Sequence, residues 1–86
     1  MDTRFTQSAR KHRIGKTRAL YVINHYMPIN IQSDAETKEK LLWIGQDDRG
    51  LELEIVAIVS DNYLLVIHVM PTIFRKVEKQ WHLKQK

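Results

Sequence analysis

Residues 41–76, LLWIGQDDRGLELEIVAIVSDNYLLVIHVMPTIFRK, hold three apolar runs separated by short polar turns and followed by an amphipathic basic segment. Few folds accommodate that series. Runs of this length rich in Ile, Val and Leu and bounded by Gly, Asp and Asn are strand signals, and turns this short force neighbouring strands to pair antiparallel. Leu41–Gly45 is the first expected strand, and Gly50 closes the Gln46–Gly50 turn, where a positive φ is expected. Leu51–Val59 alternates, with Leu51, Leu53, Ile55, Ala57 and Val59 on one face and Glu52, Glu54, Val56 and Ile58 on the other. Tyr63–Met70 is apolar on both faces, the mark of a central strand, and Pro71 stops it. Ile73, Phe74, Val77 and Trp81 then fall on one side of a final helix, with Arg75, Lys76, Lys79 and His82 around the rest.

Upstream, the patterning is helical. A short turn over Ser8–His12 ends near Gly15, and Ala19, Val22, Ile23 and Tyr26 form the apolar stripe of a helix over Lys16–Tyr26, closed by Pro28. Pro28–Gln32 is an expected edge strand, and the polar Ser33–Lys40 segment an expected mobile loop. The fold class is therefore α+β: an antiparallel sheet of three to four strands, with N-terminal helices and a C-terminal helix packed on one face. At 86 residues without an internal repeat, residues 1–86 make one domain.

Composition narrows the chemistry. The absence of cysteine removes disulfides, thiolate catalysis and Cys-based zinc sites, and it suits a reducing compartment. Apolar runs such as Ile55–Val59 are far short of the roughly 20 residues that span a bilayer, so the expectation is a cytoplasmic protein with no membrane association. The net charge of +4 is unevenly spread: residues 1–18 carry +5, residues 75–86 carry +4 and residues 19–74 carry −5. Two basic ends side by side would suit a polyanion; solvated faces that bind nothing are the plainer reading.

The order of these segments resembles the BrnT-type toxins of bacterial toxin–antitoxin pairs, relatives of the RelE-like ribonucleases. Lys11-His12 followed by Ile14-Gly15 resembles the KHG that ends that family's first helix, and Ile44-Gly45 with Gly50 resembles its IG…RG turn. Val66-Ile67-His68-Val69 stands where the family has a strand of the type RIISAR. The chain is also similar to small actinobacterial-type proteins with a YIG motif, an LEVV strand and a VIHAMP segment. The likeness spans about residues 8–81. Leu65 and Met70 stand where arginines proposed to handle RNA phosphate usually lie, and His68 stands at a serine-like position.

The resemblance implies a toxin that cleaves RNA without a cofactor and is neutralised by a cognate antitoxin. Its implied RNA is messenger RNA, with the ribosome as a conceivable setting, and its assembly a homodimer or a toxin–antitoxin heterotetramer. The alternatives are a non-catalytic protein- or RNA-binding module and a toxin with a non-RNA target such as a topoisomerase.

Metal-free RNA cleavage needs a base for the 2′-hydroxyl, a donor for the leaving oxygen and cations for the phosphate. Of His12, His25, His68 and His82, His68 is singled out as the lone polar side chain of an apolar strand, against the reading of a core histidine satisfied by one hydrogen bond. His12 lies in the basic N-terminal patch and at a family position, whereas His25 and His82 are expected to face solvent. No histidine spacing favours a metal site. Arg75 and Lys76, following the His68 strand, are phosphate candidates, and Arg10, Lys11 and Arg13 are RNA-binding candidates. Arg49 could reach RNA but more naturally pairs with Asp47 or Asp48, and Tyr63 could stack on an unpaired base. Trp43 and Trp81 lie on apolar stripes and read as core.

Glu54 depends on parity. A two-residue Asp61-Asn62 turn places Ile55 opposite His68 and the glutamates on the other face, as a solvent-exposed carboxylate row. One extra loop residue would bring Glu54 to the histidine face.

Overall fold

The computed structural model describes residues 2–31 and 39–75. They form a five-stranded sheet in the order β1-β5-β4-β3-β2, with one long helix and one short turn of 3-10 helix. The strands are β1 (Asp2–Phe5), β2 (Ile29–Asn30), β3 (Lys40–Gln46), β4 (Glu52–Val59) and β5 (Tyr63–Pro71), and the helix is α1 (Lys16–His25). The α+β class stands, while the sheet has more strands than expected. β1 is the addition, running parallel to β5 with Phe5 beside Val66. The other pairings are antiparallel.

The apolar patterns explain the layers. Leu53, Ile55 and Ala57 of β4 meet Trp43 of β3, Val66 and Val69 of β5, Ala19 and Val22 of α1, and Ala9 of the 3-10 turn Ser8–Arg10 in one core. Burial of the Leu, Ile and Val side chains among them contributes roughly 1.5–3 kcal/mol each. Both helical pieces therefore cover the same face of the sheet. Tyr26, assigned to the helix by its stripe, lies just beyond it, and its ring rests on Gly45. A Cβ at Gly45 would lie 2.4 Å from that ring, so glycine is what lets the aromatic lie against β3.

The β3–β4 turn forms as expected, with Gly50 at φ 85°. Lys40, assigned to the loop, instead opens β3, because its backbone is paired opposite Ile58. The rest of that expected loop, residues 32–38, lies outside the described residues. Residues 72–75 are helical, and the remainder of the expected C-terminal helix, with Lys76, Trp81 and His82, also lies outside them.

One irregularity decides which face His68 occupies. The turn does have two residues, since the Ser60 N–H donates to the Tyr63 carbonyl at 2.9 Å. Val59, Ile58 and Ala57 pair with Leu64, Leu65 and Val66, but Val56 then pairs with His68, which leaves Ile67 as a β-bulge. A bulge inverts the alternation beyond it. Leu64, Val66 and Val69 face the helices, while Leu65, His68 and Met70 face away with Glu54 and Val56. Glu54 reaches the histidine face through a bulge inside the strand, not through a longer loop.

Candidate functional site

The far face of the sheet carries a three-residue polar cluster. Glu54 is expected in an exposed row, yet it is only 5% exposed. Burial of a carboxylate is costly unless charged or polar donors surround it, and here two side chains do. His68 Nε2 lies 2.8 Å from Oε2. Arg75 donates from Nε to Oε1 at 2.9 Å and from Nη2 to Oε2 at 2.7 Å, the parallel fork that guanidinium and carboxylate share. The Arg75 hydrogen bonds hold the Glu54 carboxyl below its ordinary range, against the upward push of burial and with help from His68.

An ionised carboxylate can only accept, so the neutral imidazole carries its proton on Nε2. Nδ1 then holds a lone pair and makes no hydrogen bond among the described residues. The imidazole is fixed at one nitrogen and basic at the other, the arrangement a general base requires. The His68 side chain retains 35% of its surface in solvent. An apolar groove of about 480 Å³ is lined in part by Leu42, Ile44 and Val56 together with Glu54 and Arg75 of this cluster. Glu52, the other member of the expected row, is exposed and accepts from the Thr72 hydroxyl at 2.6 Å.

The other candidates are placed as follows. The fork of Arg75, expected to meet phosphate, is spent on Glu54. His12 packs edge against face on Phe74, with ring centroids 5.4 Å apart. Arg10, Lys11 and Arg13 are all exposed, and Arg10 and Arg13 line a shallow depression with Lys16. His25 is exposed as expected, stacked on Tyr21. The Arg4 guanidinium covers the Tyr63 ring at 4.1 Å, so one stacking surface of that tyrosine is already occupied. Trp43 is core as expected, and its indole N–H has no acceptor among the described residues.

The expected pairing of Arg49 with an aspartate side chain does not form with Asp47. That carboxylate accepts from Arg18 Nε at 2.7 Å and from the backbone N–H groups of Arg49 and Leu51 at 2.8 and 3.0 Å. Arg18 wins because α1 presents its side chain to the turn, whereas Arg49 meets the carboxylate through its main chain. Burial pushes the Asp47 carboxyl up, but these hydrogen bonds and the Arg18 charge outweigh it and hold it below its ordinary range. Glu54 and Asp47 are the residues that sequence reasoning undervalued. For Asp47 a signal existed, since an aspartate three residues before a turn glycine commonly caps the backbone of its own turn.

Among the described residues, no helix is long and apolar enough to cross a membrane. No protein-family profile, curated protein or solved structure matches the chain.

Proposed function

We propose that this chain is a small RNA-cleaving toxin of the BrnT-like kind, acting without a metal ion and neutralised by a cognate antitoxin protein. The observation that carries this reading is the Glu54–His68–Arg75 cluster, in which a buried carboxylate that lines a groove with Arg75 also orients a part-exposed imidazole. His68 Nδ1 takes the proton of a ribose 2′-hydroxyl. The resulting oxyanion attacks the adjacent phosphorus, the bond to the 5′-oxygen breaks, and that oxygen takes a proton from water. The products are a 2′,3′-cyclic phosphate and a 5′-hydroxyl end. Glu54 stabilises the imidazolium that forms, and Arg75 keeps Glu54 ionised and in place. The basic N-terminal residues hold the RNA backbone.

Expression of the chain alone should arrest growth and fragment cellular RNA, and His68→Ala should relieve both while the protein stays folded. Folded wild-type protein that causes neither would end this reading. A second reading, a non-catalytic protein-binding module, draws on the exposed Met27, Ile29 and Ile44 along the β2–β3 side. It differs in one outcome: folded His68→Ala would then bind the protein's partner as the wild type does, with any change confined to stability.

A further inference from the structure

We infer that the surface joining the basic depression to the His68 cluster is a subsite for single-stranded RNA, with a backbone phosphate at Arg10, Arg13 and Lys16 and an unpaired base on Phe74. The inference rests on the RNA-cleaving reading and adds where the strand lies and what distinguishes it from a duplex.

Two independent features carry it. The depression has a volume of about 420 Å³ and is lined, among the described residues, by Arg10, Arg13, Ile14, Gly15 and Lys16, three cations and no acid. None of the three enters an ion pair among the described residues, where the arginines that do pair are Arg4, Arg18 and Arg75. The Lys16 ammonium lies over the ring of Phe5, at 5.8 Å. Like charges converging on a concavity repel one another, and an anion relieves that repulsion.

The second feature is Phe74. It keeps 43% of its surface exposed and is braced by His12 at 5.4 Å. An exposed phenylalanine held in place by a second ring is a platform for a base, because every base has a π-face. Chain connectivity ties the features together. His12 directly precedes Arg13 of the depression, and Phe74 directly precedes Arg75, which holds Glu54 and through it His68. The His12–Phe74 contact is where the two segments meet, so a strand held at the cations and stacked on Phe74 passes over that contact to reach the far face of the sheet, where the imidazole lies. A duplex offers phosphates but no unstacked base, so the platform selects single strands.

The test is the binding of a fluorescein-labelled 2′-O-methyl RNA octamer, single-stranded and as a duplex, measured by anisotropy across a salt series. The blocked 2′-oxygen excludes cleavage, so binding is read separately from chemistry. Phe74→Ala should weaken single-strand binding about 5- to 100-fold and leave the duplex unchanged, while Phe74→Trp restores it. The double variant Arg13→Ala, Lys16→Ala should weaken both forms and flatten the salt dependence by about 0.7 in log–log slope per cation removed. Unchanged single-strand binding by folded Phe74→Ala overturns the subsite. So does displacement of the octamer by polyglutamate of equal charge as effectively as by unlabelled octamer, which would mark a generic polyanion surface. Wild-type protein that binds the octamer in this pattern but never cleaves RNA would sink the catalytic reading and leave the subsite standing.

Discussion

Asp47 and Glu54 are two buried carboxylates of the same β3–β4 unit, each gripped by an arginine and each held below its ordinary carboxyl range. Their surroundings separate them. Asp47 is closed: its oxygens go to Arg18 and to two amides of its own turn, on the side of the sheet that α1 covers. Glu54 is open: one of its partners is an imidazole with an uncommitted nitrogen, the other an arginine whose side chain is more than half exposed. A buried acid surrounded by fixed donors secures a fold. The same acid facing a titratable group at a groove is equipped to serve chemistry.

The comparison breaks most readily at Asp47. Asp47→Ala should cost roughly 3–5 kcal/mol in chemical unfolding, since it strands Arg18 and two backbone donors, with cleavage falling only as the folded fraction falls. A cost near zero would mean that the turn holds without it. Glu54→Gln is the converse. It should cost about 1–3 kcal/mol by the same measurement, yet lower cleavage far more than the lost folded fraction explains. Equal losses of stability and activity would make Glu54 a second Asp47.

Acid should affect both. Each folded pKa is lowered, so on acidification the unfolded chain takes up protons first. The stability these groups contribute is fully present above their ordinary values of 4.5 and 3.8 and is lost as pH falls through the lowered ones. Unfolding midpoints measured from about pH 6 downward should therefore fall below about pH 5. Glu54→Gln and Asp47→Asn should each flatten that slope. Gly45→Ala touches neither carboxylate and should leave cleavage per folded molecule unchanged, while it forces the exposed Tyr26 ring aside at about 1–3 kcal/mol. A shift in tyrosine fluorescence should accompany it.

The parts legible in the sequence are those whose pattern repeats locally. β4 and α1 follow from periodicities of two and 3.6, and the Gly50 turn from one residue that tolerates a positive φ. β1 was not legible, because DTRF has no strong strand signal and its pairing with β5 is made across some 60 residues of chain. His68 could be singled out as a lone polar residue in an apolar run, but its partner could not. The bulge at Ile67 inverts the face of everything after it and involves no glycine to announce it. Turn length alone would put His68 on the face opposite Glu54; the bulge turns His68 to the Glu54 face, where it and Arg75 cover the carboxylate.

The most direct measurement of the central claim is cleavage of a single-stranded RNA in the presence of chelator by wild-type protein and His68→Ala, matched for circular dichroism. Wild-type protein should yield 2′,3′-cyclic phosphate and 5′-hydroxyl ends, with the variant slower by about 10²- to 10⁴-fold, as loss of a general base requires. Cleavage by the variant at the wild-type rate, or none by folded wild-type protein, would contradict it.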